Sequence, residues 1–320
     1  MGPVNDCGDK FMFLENMQTA ALQVGILYVM VFIGFVACKL KIFPEKTAND
    51  NKDLLFYVIT VCVIVKSFVD MEFNPDTISS FLIALCCNFL TFIIGIIFTI
   101  PMLKKKKHPD NPVYRYAAIY SNAGYMALPL ADAILGTEGV FYCSTGVIAF
   151  NIMCFTQGCR LMSKEEGGFG WKKLILNPGS LGVIIGLPLF LLNAELPVIL
   201  EKPVEYISSM NTPMAMLIFG TYLANTDLKT MFSDKKIYLV SLIRLLIIPV
   251  ICIGGYRLFG ITGTLLVACA ITAAAPSANN TILFAAKYDR STSVASKTVA
   301  VVSFISILTL PVMIAFAQAI

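Results

Sequence analysis

Two short stretches hold most of the polar chemistry in an otherwise apolar chain. One reads Tyr120-Ser121-Asn122-Ala123-Gly124-Tyr125-Met126-Ala127-Leu128-Pro129, the other Ala275-Pro276-Ser277-Ala278-Asn279-Asn280-Thr281. Each puts Pro, Asn, Ser and small residues in the middle of an apolar run long enough to cross a bilayer. Proline removes a backbone donor and clashes with the preceding turn. Lipid-facing backbone cannot stay unpaired, so a broken helix survives only inside protein or beside a watery cavity. The same break frees helix N-termini, whose N–H groups and positive dipole end favour an anion. Asn and Ser side chains add donors for a carboxylate or acceptors for a cation. The candidate binding residues are therefore Ser121, Asn122, Gly124, Tyr125, Pro276, Ser277, Asn279 and Asn280, with Pro129 and Pro276 as helix breakers. Taken singly, each stretch also reads as an ordinary kink with its polar groups bonded between helices. Two breaks at matching positions favour a site. Asn279-Asn280-Thr281 fits a glycosylation sequon, which has no meaning at membrane depth.

Charged side chains within apolar runs are costly and mark function by default. Lys66 lies a few residues from the end of its run. Snorkelling to the interface with Asp70 as partner is one reading; the other is an ammonium that attracts an anion into an outer cavity or replaces a bound cation. Arg244 lies nearer mid-depth, where backbone carbonyls or a lipid phosphate are its available partners. No Asp or Glu falls at the middle of a run; Asp132 and Asp53 lie near ends. Proton coupling through a titrating side chain is therefore not expected.

The elements that must position these groups follow from composition. Of 320 residues, 57% are hydrophobic and 14% charged. That excludes an ordinary soluble domain, and there is no basic, aromatic-laced face for nucleic acid. Ten apolar runs fall near 20–38, 54–71, 79–101, 115–135, 139–160, 179–194, 205–223, 237–256, 260–286 and 294–318. Nineteen Lys and Arg sit in the odd-numbered connectors, for example Lys39, Lys104 to Lys107, Arg160, Lys236 and Arg290. The opposite side has three: Lys10, Lys202 and Arg257. This asymmetry predicts an inner-membrane protein with odd connectors cytoplasmic and both termini extracytoplasmic. Residues 1–19 read as an extracytoplasmic segment and the first run as an uncleaved span. The connector 161–178, with Gly167, Gly168 and Gly170, reads as a cytoplasmic hinge between a first unit, 20–160, and a second, 179–320. Leu40-Lys41-Ile42-Phe43-Pro44 and Pro129 have counterparts in Ala194-Glu195-Leu196-Pro197 and Pro276, about 150 residues later. Five runs per unit is odd, so the second unit must enter the membrane inverted, a plan common among secondary transporters. The fold class expected is an all-α polytopic membrane protein of two inverted five-helix repeats, with broken, crossing helices four and nine. The ten Cys are scattered singly apart from Cys86-Cys87 and read as small buried hydrophobes. His108, the sole histidine, sits beside Lys104 to Lys107, which argues against a His metal site or proton relay. No metal or cofactor is expected.

Ser121-Asn122-Ala123-Gly124-Tyr125-Met126-Ala127-Leu128-Pro129-Leu130 resembles the fourth span of the auxin efflux carrier family in its short-loop bacterial form. Ala275-Pro276-Ser277-Ala278-Asn279-Asn280 resembles that family's ninth-span element, Thr212-Pro213-Met214-Ala215-Met216-Leu217-Ile218-Phe219-Gly220 its seventh span, and Asn177-Pro178 the start of its sixth. The similarity runs from about residue 14 to 320. It implies spans four and nine crossing at their breaks in a mobile core of spans 3–5 and 8–10. It implies a scaffold of spans one, two, six and seven that often serves as a homodimer platform. It also implies small organic anions as substrates: auxins in plants, malate or malonate in some bacteria. By position, Asn122 matches the crossover Asn that holds substrate carboxylate, and Pro276 and Asn280 match the ninth-span pair. Ser121 stands where plant members have Pro, and Lys66 where relatives carry a small or apolar residue.

The functions to be separated are an organic-anion carrier working by alternating access, a sodium- or proton-coupled dicarboxylate symporter on the same fold, a ligand sensor and an intramembrane enzyme. The last is disfavoured: H-E-x-x-H, paired intramembrane Asp and a Ser–His pair are all missing from the sequence.

Overall fold

The computed structural model describes residues 6–103, 108–163, 178–225 and 234–320. The glycine-rich part of the 161–178 connector and Lys104 to Lys107 lie outside them. The described residues are helical, with one isolated antiparallel bridge between Ser121 and Ser277.

In chain order the helices are α1 (Asp6–Lys39), α2 (45–69, with a π-helical stretch Leu55–Thr60), α3 (Pro75–Met102), α4 (Asn111–Ile119), α5 (123–135) and α6 (137–162). After the connector come α7 (Pro178–Leu191), α8 (Val198–Ser209), α9 (Asn211–Ala224), α10 (Lys235–Leu258), α11 (Gly263–Ala274), α12 (Asn280–Lys287) and α13 (Thr292–Ala319). Among the described residues, four helical stretches are long and apolar enough to cross a membrane: Pro75–Met102, Leu128–Met162, Lys235–Leu258 and Thr292–Ala319. Gly136 divides the second of these. Its φ of 65° and ψ of −154° turn the chain between α5 and α6 in a conformation that side chains disfavour. Helix starts follow local chemistry. Asn74 caps α3 by accepting from the Thr77 N–H at 2.8 Å, with Pro75 at the first helical position. Ser291 caps α13 through the Val294 N–H at 3.2 Å.

Two differences from the sequence expectation concern boundaries. Helix α1 begins at Asp6, well before residue 20. The seventh run is split at Met210, between α8 and α9.

Packing between helices relies on small residues. α1 and α9 approach so closely that a Cβ built on Gly34 would sit 2.3 Å from the Leu217 carbonyl oxygen, and one on Gly220 2.0 Å from that of Val31. In α7, Gly182 and Gly186 lie against Ile64 and Phe68 of α2. Without a hydrophobic drive between helices in lipid, such close backbone approach supplies much of the association energy. A polar layer ties α3, α6 and α11. Asn88 Nδ2 donates to Thr145 Oγ1 at 3.0 Å, and Thr272 Oγ1 donates to Asn88 Oδ1 at 2.7 Å. Outward faces carry large apolar side chains, among them Ile93, Ile97 and Ile100 on α3 and Phe304 and Leu308 on α13. Such a surface is a liability in water and the natural one in lipid.

Candidate functional site at the helix interruptions

Helix α4 ends at Ile119 because Tyr120 swings to φ −94°, ψ 114°, which is extended backbone. Helix α11 ends at Ala274 because Ala275 does the same at φ −56°, ψ 142°, ahead of Pro276. The two extended segments lie side by side and antiparallel. The Asn122 N–H donates to the Pro276 carbonyl at 2.7 Å, and the Ala278 N–H donates to the Tyr120 carbonyl at 2.9 Å. Each interruption thus satisfies backbone groups that the other leaves open, the condition for irregular backbone at membrane depth. The chain then resumes as α5 and α12, whose first turns leave N–H groups without carbonyl partners from the preceding helix.

The side chains at the crossing are buried. Ser121 and Asn122 are each 3% exposed, and Ser277 is fully enclosed with its Oγ donating to the Ala117 carbonyl at 2.7 Å. Asn279 and Asn280 begin α12 and are half-buried, and Asn279 Nδ2 is enclosed without a hydrogen-bond partner. Gly124 and the backbone of Tyr125 lie in the π-helical turn Ala123–Ala127 that opens α5. Pro276 lies within the second interruption. The structure therefore brings Ser121, Asn122, Gly124, Pro276, Ser277, Asn279 and Asn280 into one region.

Pro129 is different. It lies in continuous helix, and the break is at 120–122. The wide turn before it, in which the Ala127 N–H reaches the Asn122 carbonyl at 3.2 Å, accommodates a residue that donates no N–H. The first interruption is made by pairing with the second, not by its proline. Lys66 is also elsewhere: its ammonium pairs with Asp70 at 2.5 Å one turn on, and both side chains are about one-third exposed at 31% and 32%. That is the geometry of a snorkelling pair.

Two sets of residues at the crossing lie outside the candidate binding residues, although Arg244 stands out in the sequence by its charge and depth. Tyr116 and Tyr120 stack with ring centroids 4.3 Å apart, and Phe92, Phe150 and Phe284 surround them. The Tyr120 hydroxyl donates to the Met153 carbonyl at 2.8 Å and lies 2.6 Å from Gln157 Oε1, which pins the departing backbone against α6. Arg244 of α10 is fully buried and reaches the crossing from the other side. Its guanidinium donates to the Ile119 carbonyl at 3.0 Å and to the Ala273 carbonyl.

Described parts of several basic connectors touch one another. Arg290 donates to the carbonyls of Pro109, Met162 and Ser163, and Tyr114 bonds Asp234. Tyr222 bonds Asn49 at 3.1 Å.

Broken helices that pair within an apolar helical bundle fit a membrane-embedded protein whose irregular backbone is enclosed or lines a cavity. Comparison with known proteins gives the family. A model described as "Membrane transport protein" matches residues 19–170 and 167–314, and the chain belongs to that family, the auxin efflux carrier family. The chain is 23% identical to an uncharacterized transporter of Methanocaldococcus jannaschii over 284 residues, 82% of this chain and 88% of the relative. It is 21% identical to a putative malonate transporter of Rhizobium meliloti over 293 residues, 88% of this chain and 90% of the relative. Auxin efflux carrier component 1 of Arabidopsis thaliana matches at 26% over 123 residues, 37% of this chain and 20% of the plant protein.

Proposed function

We propose that this protein is a secondary carrier for a small organic anion, such as an auxin-like carboxylate or a dicarboxylate, bound at the helix crossing. The observation that carries the reading is the backbone pairing of Tyr120–Asn122 with Pro276–Ala278. Two resumed helices, α5 and α12, start beside it with positive dipole ends. Asn122, Asn279 and Asn280 supply amide donors around them, and an unpaired Asn279 amide is a group that a carboxylate oxygen would satisfy. Ser121, Ser277, Gly124 and the Tyr125 backbone line the same region.

The wider architecture belongs to the same proposal. The chain spans the membrane ten times as two inverted five-helix repeats, with the basic connectors on the cytoplasmic side and both termini outside. Spans one, two, six and seven form a scaffold and homodimer platform, and the remaining helices form a core that moves against it. Lys66, paired with Asp70 near the end of its helix, stands apart from the crossing and takes no part in binding. Movement of an anion out of a negative interior releases roughly 2.3 kcal/mol per charge per 100 mV, so a uniporter exports without a coupling ion.

The test is binding followed by flux. A thermal-shift screen of small carboxylates on purified protein should give a ligand whose stabilisation is lost in Asn122→Ala and Asn280→Ala. That ligand should then cross proteoliposome membranes at a rate set by the clamped potential. Flux indifferent to potential but strictly dependent on a sodium or proton gradient would replace uniport by the second reading, a coupled dicarboxylate symporter. The extended similarity to a putative malonate transporter points to a dicarboxylate as cargo under either reading. Ligand binding that survives both Asn substitutions would overturn the site.

A further inference from the structure

Arg244 is the one full charge brought to the crossing among the described residues, and it is aimed away from solvent. It sits on a π-helical stretch, Ile243–Ile247, of α10, with no exposed surface. No carboxylate pairs with it among the described residues. Its two terminal nitrogens instead donate to Ile119, the last residue of α4, and Ala273, the penultimate residue of α11. These are the carbonyl ends of the two interrupted helices. Each such end carries a partial charge of roughly −0.5, so two of them match one guanidinium. Neighbouring carbonyls of the same ends are otherwise engaged: Tyr116 by the Tyr120 N–H, Ala117 by Ser277, Tyr120 by Ala278 and Ile271 by Ala275.

We infer that Arg244 is the built-in cation of the crossing: a positioning residue whose guanidinium neutralises both carbonyl ends and holds the two interruptions in register. In doing so it takes the place that a bound inorganic cation would need if those oxygens were left open. A planar fork suits two carbonyls from different helices better than an ammonium point charge does. The π-helical turn that carries it, just before Pro249, is the irregularity that presents it at this depth.

The test needs no substrate, so it stands or falls separately from the carrier reading. In the full chain in lipid vesicles, thiols introduced as Ser121→Cys and Ser277→Cys report on the register by their rate of oxidative linkage. Adding Arg244→Ala should slow linkage about tenfold, the cost of one charge-assisted hydrogen bond or more. Millimolar guanidinium should restore the rate, while choline at equal ionic strength should not. A packing role alone would not be rescued by a small cation. Unchanged linkage in Arg244→Ala overturns the inference, as does a loss that guanidinium cannot repair or that choline repairs equally. Should the alanine variant fail to accumulate, Arg244→Lys and Arg244→Met decide. Accumulation and linkage in the Lys variant alone support the inference. Equal behaviour of the two, including failure of both, overturns it.

Discussion

Replacing Gly220 by alanine adds one methyl group where α1 and α9 already touch. That methyl would lie 2.0 Å from the Val31 carbonyl oxygen, 2.7 Å from the Phe35 nitrogen and 3.0 Å from the Gly34 carbonyl carbon. All three are backbone atoms, so no side chain can rotate away. The helices must part by roughly 1 Å, and a gap of that size forfeits a quarter to a half of each dispersion contact along the seam. Overpacking of this kind costs about 1–3 kcal/mol, which is roughly fivefold to 160-fold in the folding equilibrium constant. The same chemical change at Gly254 of α10 meets nothing within 4 Å. There it should gain up to about 1 kcal/mol from helix propensity. Size-exclusion monodispersity of the detergent-solubilised protein after graded heating measures both. Gly220→Ala should lose its peak at a distinctly lower temperature than the parent, and Gly254→Ala at the same or a higher one. If Gly220→Ala is as heat-resistant as Gly254→Ala, the close contact of these helices is wrong.

Other expectations concern the site and its supports. Asn122→Ala and Asn280→Ala should each abolish flux of the bound carboxylate in proteoliposomes while keeping the parent's elution profile. Lys66→Ala should change stability by no more than about 1 kcal/mol, because its pair with Asp70 is solvent-accessible; the initial flux should be unchanged. Gly136→Ala should cost roughly 1–3 kcal/mol, since φ 65° with ψ −154° is a conformation essentially confined to glycine, and would show as a lowered heating midpoint. Tyr120→Phe removes the hydroxyl that bonds the Met153 carbonyl inside the core and should cost about 1 kcal/mol in the same assay.

The site was legible in part because its two halves break a strong pattern. Asn, Ser and Pro inside apolar runs stand out against any lipid-facing background, and that locates 120–129 and 275–281 without a third dimension. The position of the first break was not legible. Pro129 was the obvious candidate, yet the helix runs through it. Tyr120 leaves helical geometry because the Ala278 N–H, more than 150 residues away in the chain, takes its carbonyl. No local signal reports a partner at that separation. Arg244 could be placed at depth from sequence, but choosing between backbone carbonyls and lipid phosphate required knowing that α4 and α11 end beside it. Lys66 and Asp70, one helical turn apart, could be paired from spacing alone, and the structure has that pair. Gly34 and Gly220 lie in different helices, in apolar segments of ordinary composition, and only their contact gives them meaning.

The pairing of the interruptions is the point on which the account turns. Ser121 and Ser277 face each other in the close, non-hydrogen-bonded register of an antiparallel pair, with Cα atoms about 4.5 Å apart, within reach of a disulfide. The decisive measurement is oxidation of the Ser121→Cys/Ser277→Cys variant in membranes, with the linked peptides identified by mass spectrometry. Rapid and nearly complete linkage between these two positions is expected. If the thiols stay unlinked under a membrane-permeant oxidant that does oxidise the buried native thiols Cys143 and Cys154, the two breaks do not meet and the proposed site does not exist.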